Sequence, residues 1–163
     1  TYRKLAEQAV DMLRPVLSPQ VARMAGPWTV DAPLPGGDFE TLLGPIPAGE
    51  LGFDRLCSLI RERHPWLPER LARRYAASYG TRYALVVGEA KSLQDLGQEV
   101  APDIFAAELV YLREQEWART AKDVLWRRSK LGLHLDEFQQ QAVADWLEDP
   151  AAATPAPASV AAR

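Results

Sequence analysis

The sequence predicts an all-α protein, an irregular bundle of five to six helices with a proline- and glycine-rich connector after the first helix. Apolar residues recur mainly at helical spacing, and no segment shows the alternation of apolar and polar residues that a half-buried strand requires. Capping residues precede several apolar stretches, and glycine or proline follows them. With 163 residues and a hydrophobic share of 47%, the chain can build one sizeable core.

The first helix is predicted over residues 1–16, where apolar side chains form one stripe: Leu5, Ala9, Met12, Leu13 and Val16. Pro15 and Pro19 should end or kink this helix. Residues 17–49 are predicted to form an extended connector with turns and at most a short strand, because residues 26–49 are dense in proline and glycine.

Residues 50–149 are predicted to form a helical C-terminal domain. Its first helix begins near Glu50 and stops before Pro65, and the next begins after Pro68. Gly80 should close that second helix in a left-handed conformation, which glycine adopts without a steric penalty.

Short segments follow whose structure depends on local signals. The apolar run at residues 83–87 is too short for its periodicity to distinguish a strand from a helix, and we predict a helix. Ser92 with Asp95, and Thr120 with Asp123, have the spacing of capping boxes, in which a hydroxyl and a carboxylate satisfy free backbone N–H groups. We expect only the Thr120 box to start a long helix.

The remaining helices are marked by apolar stripes and by their ends. One is predicted to run through Glu116, with its apolar positions at Phe105, Leu109, Leu112 and Trp117. The helix after Thr120 should close at Gly132, and the last helix should begin at Asp136, with Gln139 at the reciprocal capping position. Residues 150–163 are rich in alanine and proline and are predicted to be a disordered tail.

Composition and motifs exclude several classes of function. A net charge of -3 provides no overall attraction to nucleic acid, and a single cysteine, Cys57, cannot form an internal disulfide or a zinc cluster. We expect Cys57 to be a small buried hydrophobic residue. No segment is apolar over the length that a membrane span needs, and the sequence contains no phosphate-binding, dinucleotide-binding or metalloprotease motif. The sequence therefore predicts no metal site and no complete catalytic site.

The polar residues have mostly structural interpretations. His64 lies at a helix end and His134 in a turn, so a structural hydrogen bond is favoured for each. Glu108, Glu114 and Glu116 share one helix and are predicted to form a solvated, salt-bridged face.

The basic residues form two groups in the sequence. We predict that they cover helix surfaces and pair internally, with docking to phosphates or lipid headgroups as the alternative: Arg61, Arg63, Arg70, Arg73, Arg74 and Arg82, then Arg127, Arg128 and Lys130. The tryptophans are predicted to pack in the core or between subdomains, because each lies on or beside an apolar stripe: Trp66, Trp117, Trp126 and Trp146.

Several short motifs stand in a particular order over nearly the whole chain, up to Leu147. They are Thr1-Tyr2-Arg3-Lys4-Leu5-Ala6-Glu7, Leu34-Pro35-Gly36-Gly37, Leu71-Ala72-Arg73-Arg74-Tyr75 with Tyr79-Gly80, Asp95-Leu96-Gly97, and the stretch from Ala107 to Gly132 that includes Glu116-Trp117-Ala118-Arg119-Thr120. Each motif alone is weak, but together and in this order they are specific. The chain resembles the carboxy-terminal part of the bacterial aerobic, FAD-dependent glycerol-3-phosphate dehydrogenases.

This resemblance implies a longer protein, in which an FAD-binding and substrate domain of the D-amino-acid-oxidase type precedes Thr1. The first helix would continue from that domain, and the start at Thr1 without a methionine fits this expectation. The intact enzyme would oxidise sn-glycerol 3-phosphate to dihydroxyacetone phosphate and pass electrons through the flavin to membrane quinone. The present chain would support the catalytic domain and would be inactive alone.

The resemblance also implies where the intact enzyme works and which residues contribute. The enzyme would lie at the inner face of the membrane as a peripheral protein, and a homodimer is left open. Thr1, Tyr2 and Arg3 match the end of the motif that closes the flavin domain. Arg3 is predicted to bind the substrate phosphate, because a guanidinium offers a rigid fork to a phosphate dianion. Arg3 could instead pair with Glu7, one helical turn along. Thr1 is predicted to contact the FAD.

A second hypothesis belongs to another class of function. The chain could be a free-standing helical domain whose arginine groups dock a protein or an anionic surface, and salt would then weaken its binding steeply. Reading the coding sequence upstream of Thr1 would distinguish the two hypotheses, since the enzyme requires a flavin domain there.

Overall fold

A computed structural model describes residues 1–16 and 28–149. The chain divides into two compact units, residues 1–34 and residues 35–163. The predicted disordered tail, residues 150–163, and residues 17–27 of the predicted connector lie outside the described residues. None of the helices within the described ranges is long and apolar enough to cross a membrane.

The described residues of the first unit include the helix α1 (Tyr2–Leu13), which continues as a 3-10 turn at Arg14–Val16. Both elements lie within the helix predicted for residues 1–16. None of the residues of α1 is buried, although its apolar stripe includes Leu5 and Met12. An amphipathic helix gains little stability while its apolar face stays in water.

The second unit is mostly helical. Its α-helices are α2 (Phe39–Leu43), α3 (Gly52–Arg63), α4 (Glu69–Tyr79), α5 (Tyr83–Val87), α6 (Ala106–Gln115) and α7 (Glu137–Glu148). Short 3-10 turns occupy Gly80–Arg82, Leu93–Leu96 and Leu131–Leu133, and a π-helix occupies Asp123–Arg128. The two strands are β1 (Glu99–Ala101) and β2 (Ile104–Phe105), which pair antiparallel.

The core of the second unit forms where α3 packs against α4 and α5 packs against α6, with α7 lying against β1. Its largest fully buried side chains come from several of these elements: Tyr75, Tyr83, Leu56, Ile60, Leu71, Leu96, Ile104, Leu109, Leu112 and Leu125. Burying side chains of this size contributes about 1.5–3 kcal/mol each before the entropy cost of ordering the chain is subtracted. The predicted all-α class is confirmed.

Two local elements were not predicted. Helix α2 forms inside the segment for which we expected at most a short strand. The hairpin of β1 and β2 is too short to produce a visible alternation, and its turn places Asp103 at a φ of 62°. Asp103 is tolerated there because aspartate accepts the left-handed region better than most residues, and its N–H donates to the Glu99 carboxylate at 2.9 Å.

The predicted helix starts are largely confirmed. Capping boxes form at Ser92 and at Asp136, and the residues 83–87 are helical. The Thr120 box also forms, since Asp123 accepts from the Thr120 N–H at 3.0 Å and Thr120 Oγ1 accepts from the Asp123 N–H at 3.2 Å. The helix that follows widens into the π-helix, which closes with a bond from Ser129 N to Val124 O of 3.1 Å.

Candidate functional site

The predicted phosphate ligand, Arg3, lies in a small polar cluster of the first unit. Its Nη1 donates to Glu7 Oε1 at 3.2 Å and to Thr29 Oγ1 at 3.0 Å. The Thr29 hydroxyl in turn donates to Glu7 Oε1, and the Thr29 N–H donates to the same oxygen at 3.3 Å. The structure therefore contains the Arg3–Glu7 pair that the sequence allowed, and it adds Thr29, which the sequence did not single out.

The cluster is only partly shielded from water. The side chain of Arg3 is 30% exposed. The hydrogen bonds from Thr29, with the charges of Arg3 and Lys4, lower the pKa of the Glu7 carboxyl. Glu7 is thus held ionised and balances the charge of Arg3. The described bonds of the guanidinium all use Nη1, so its other edge has no partner among the described residues. Thr1 is exposed, and its carbonyl accepts from the Leu5 N–H at 3.1 Å.

A second polar cluster is buried in the second unit and joins α4 to α6. Arg74 Nη2 donates to Glu108 Oε2 at 2.7 Å and to the Asp103 carbonyl at 2.7 Å, while the Tyr79 hydroxyl donates to Glu108 Oε1 at 2.5 Å. Glu108 is fully buried and the Arg74 side chain is 20% exposed. The prediction that Glu108 belongs to a solvated face is therefore wrong, because its helix packs on more than one side.

The charges in this cluster depend on one another. Burial alone would lower the pKa of Arg74, but the hydrogen bonds and charge of Glu108 outweigh it and raise that pKa. Burial and the neighbouring carboxylate raise the pKa values of Tyr75 and Tyr79, so both phenols stay protonated. The Tyr75 hydroxyl and Arg74 Nε are buried without a hydrogen-bond partner among the described residues. The cluster is a charge-balanced bridge between α4 and α6.

Gly36 and Gly80, which belong to two of the motifs quoted in the sequence analysis, contact each other in the second unit. The Gly36 carbonyl accepts from the Thr81 N–H at 3.0 Å, and Asp38 accepts from the Thr81 hydroxyl. A Cβ atom on Gly80 would lie 1.9 Å from the Gly36 oxygen, and one on Gly36 would lie 2.3 Å from the Tyr79 oxygen. Both glycines have positive φ, so the sequence needs glycine here for conformation and for space. The start of the second unit is thereby held to the end of α4.

As predicted, most arginines of the two basic groups pair with other side chains of this chain. Arg61, Arg70, Arg74, Arg127 and Arg128 form ion pairs with carboxylates. Two more lie over aromatic rings, Arg73 over Phe53 and Arg82 over Tyr111. These contacts offset part of the positive charge of the two groups.

The other singled-out side chains have structural roles. His64 makes edge-on contacts with the rings of Trp66 and Tyr83 at centroid distances of 5.7 and 5.9 Å. Cys57 is partly buried, and burial raises the pKa of its thiol, which disfavours a reactive thiolate. Trp117 is 73% exposed, so it does not pack in the core, and packing between subdomains stays a prediction for this residue. The described residues contain no group of side chains that could hold a metal ion.

Two depressions on the second unit are open to solvent, one between the π-helix and α7 and one beside the His64–Pro68 turn. Neither encloses a ligand as the concave sites of cofactors do. Thr1 and Arg3 lie instead at the first turn of α1, within the other unit.

Several curated proteins match nearly the whole length of this chain. The chain is 41% identical over 148 residues to aerobic glycerol-3-phosphate dehydrogenase of Escherichia coli, a match that covers 90% of this chain and 26% of that protein. It is 37% identical over 149 residues to D-erythritol 1-phosphate dehydrogenase of Brucella abortus, covering 91% and 27%. Glycerol-3-phosphate dehydrogenase of Pseudomonas aeruginosa is 38% identical over 148 residues, covering 91% and 26%.

The chain therefore spans about a quarter of the length of these curated relatives. Residues 28–151 match the family described as the C-terminal domain of alpha-glycerophosphate oxidase, and they include all the described residues of the second unit. Since this match covers more than half of the chain, the protein belongs to the family of alpha-glycerophosphate oxidase C-terminal domains.

Proposed function

We propose that this chain is the C-terminal domain of an FAD-dependent glycerol-3-phosphate dehydrogenase, which oxidises sn-glycerol 3-phosphate to dihydroxyacetone phosphate. The observation that carries the proposal is the 41% identity over 90% of the chain to the aerobic glycerol-3-phosphate dehydrogenase of Escherichia coli. In this proposal the FAD is bound mainly by a preceding domain, and the electrons leave the flavin for membrane quinone. The intact enzyme works as a peripheral protein at the inner face of the membrane.

The role of this chain in the proposal is support, and no part of the redox step is assigned to its described residues. The exposed apolar stripe of α1 favours packing against the preceding domain, since that stripe is not covered within the described residues. The charge-balanced bridge between Arg74 and Glu108 would keep the helical unit rigid. The 163-residue chain should therefore reduce no dye with glycerol 3-phosphate and added FAD. Turnover by the isolated chain would refute the proposal that catalysis requires the preceding domain.

The substrate class is a polyol phosphate, and the relatives name two members of it. The Brucella relative is a D-erythritol 1-phosphate dehydrogenase, and its identity of 37% is close to that of the glycerol-3-phosphate enzymes. D-erythritol 1-phosphate is therefore the second candidate substrate. Comparing kcat/KM of the full-length enzyme for the two phosphates would decide between them, and failure to oxidise either would exclude the proposal.

Arg3 is proposed to bind the substrate phosphate with the edge of its guanidinium that Glu7 and Thr29 leave open. A hydrogen bond to a charged group is worth about 1.5–3 kcal/mol, so Arg3→Ala in the full-length enzyme should raise KM roughly 10- to 100-fold. The increase should be much smaller for a substrate analogue without the phosphate. Thr1 is proposed to contact the FAD through its backbone or hydroxyl.

Glu7→Gln is the matched control for this prediction, because it removes the negative charge next to Arg3 and keeps a hydrogen-bond acceptor for Thr29. With less competition for the guanidinium, KM for the phosphate substrate should stay equal or fall. An unchanged KM in Arg3→Ala would exclude Arg3 from phosphate binding and would leave it as a structural partner of Glu7. Membrane association, the remaining part of the proposal, is tested by vesicle flotation of the full-length enzyme, and sedimentation decides the open question of a homodimer.

A further inference from the structure

The turn after α6 has an unusual residue at its tip. Trp117 has a φ of 56°, in the left-handed region where glycine is normally found and where a bulky side chain is disfavoured. The turn is regular otherwise, since the Leu112 carbonyl accepts from the Glu116 N–H at 3.1 Å and from the Ala118 N–H at 3.0 Å. Glycine or asparagine would close this turn with less strain.

The packing of the second unit does not require a tryptophan at this position. The indole is 73% exposed, whereas the next residue, Ala118, is fully buried. Neither the backbone conformation nor the packing of the core therefore explains a tryptophan at position 117. Residues held in disfavoured backbone conformations are concentrated at functional sites, which makes this one a candidate for a contact outside the described residues.

The surroundings of Trp117 hold the turn in place. The Tyr111 hydroxyl donates to Glu116 Oε1 at 3.0 Å, and Arg128 Nη1 lies 3.9 Å from Glu116 Oε2. On the other side, Arg82 Nη2 donates to Gln115 Oε1 at 3.1 Å. The turn is thus tied to α6, to the π-helix and to the 3-10 turn Gly80–Arg82. An exposed aromatic side chain on a rigid turn loses little entropy on binding, which is typical of an interface anchor.

The charges beside Trp117 indicate the kind of partner. Residues 114–120 carry two carboxylates, Glu114 and Glu116, and one cation, Arg119, and the cations of Arg82 and Arg128 contact the same turn. These charges of both signs are not the cluster of roughly four or more cations that binds an anionic membrane surface, whereas an exposed ring with a mixed polar rim is typical of a protein interface. About three quarters of the length of the relatives lies outside the part that this chain matches, and it supplies such a protein surface within the same polypeptide.

We infer that Trp117 anchors the helical unit to the preceding, flavin-bearing part of the same polypeptide. This inference rests on the proposed function, which supplies that part of the protein, and it assigns the turn after α6 to the interdomain contact. A pocket on the preceding domain would receive the indole, and burial of the ring would offset the unfavourable backbone of Trp117.

The test uses the full-length enzyme with bound FAD and the variants Trp117→Gly and Trp117→Asn. Both residues suit the left-handed backbone better than tryptophan, so neither should loosen the turn itself. Limited trypsin digestion should release the C-terminal domain at least fivefold faster from both variants than from the wild type. Trp117→Phe, which keeps a ring, should stay within about twofold of the wild type.

Phe138→Ala is the matched control, because Phe138 is an even more exposed ring, at 88%, on the regular helix α7. Its release rate should equal that of the wild type. Equal release rates for the wild type and both Trp117 variants would overturn the inference. A change in oligomer mass by sedimentation would overturn it too, since the partner would then be a second copy. Activity is measured separately: a wild-type enzyme that oxidises no polyol phosphate would refute the proposed function, whereas the release rates would still test the contact.

Discussion

Replacing Glu108 by glutamine would leave the guanidinium of Arg74 inside the second unit without its counter-charge. The change keeps the size of the side chain and an acceptor for the Tyr79 hydroxyl, so the loss of charge is the main effect. Removing one partner of a buried ion pair costs about 3–5 kcal/mol. The Arg74 side chain is 20% exposed and also donates to the Asp103 carbonyl. We therefore expect the free energy of unfolding to fall by the lower end of this range, about 3 kcal/mol.

That loss is large enough to measure by two methods. For a chain of this size, 1 kcal/mol shifts Tm by about 2–4 °C, so Glu108→Gln should lower Tm by roughly 6–12 °C. Urea unfolding of the 163-residue chain, followed by circular dichroism, gives the change in free energy of unfolding directly. The slope of that free energy against urea should stay the same, since the variant exposes the same surface on unfolding.

The control is an ion pair of the same type at the surface. Arg70 Nη2 lies 2.6 Å from Asp103 Oδ1, but the Arg70 side chain is 75% exposed, so Arg70→Met should cost only about 0–1 kcal/mol. The double variant Arg74→Met with Glu108→Gln removes both buried charges and should be more stable than Glu108→Gln alone. If Glu108→Gln costs no more than Arg70→Met, the argument that burial makes this pair essential is refuted.

Two further predictions concern stability. Gly80→Ala should cost about 2–4 kcal/mol in urea unfolding, because its Cβ would lie 1.9 Å from the Gly36 oxygen. Gly88→Ala, with a similar φ of 54° but nothing within 4 Å of its Cβ, should cost only about 1 kcal/mol. Burial, with the nearby charge of Arg63, lowers the pKa of His64, so the unfolded chain binds a proton more readily and stability should fall as pH drops below about 6.5. His64→Gln should weaken that pH dependence.

Each of these predictions has an outcome that contradicts it. Equal losses in Gly80→Ala and Gly88→Ala would mean that the contact with Gly36 contributes nothing beyond the positive φ. For His64, unfolding is compared at about pH 7.5 and about pH 5.5, above and within the window in which the unfolded imidazole gains its proton. The same change in stability in the wild type and in His64→Gln would show that other groups cause the pH dependence.

Some features could be predicted from short stretches of sequence. The capping boxes at Ser92, Thr120 and Asp136 join residues three positions apart, so residue type and spacing are sufficient to recognise them. The helix at residues 83–87 was harder because five residues do not distinguish one periodicity from another.

The candidate sites show why other features could not be predicted. Glu108 looks like a surface residue because its own helix carries further charges, but Arg74 approaches it from 34 residues earlier in the chain. The Arg3–Glu7 pair was foreseen because its members are one turn apart, whereas Thr29, which lies 22 residues beyond Glu7, was not. Trp117 lies beside an apolar stripe, which predicts packing in the core or between subdomains, but its side chain is exposed at the turn after α6.

The sequence by itself determined the all-α class, most helix ends and the family, because these depend on residue types repeated within a few positions. Only the tertiary structure decided which polar groups are buried and which aromatic rings remain exposed to solvent. Packing brings together residues such as Asp38 and Thr81, which are 43 positions apart. A buried charge is stable only where a partner from elsewhere in the chain contacts it. No short stretch of sequence predicts that contact.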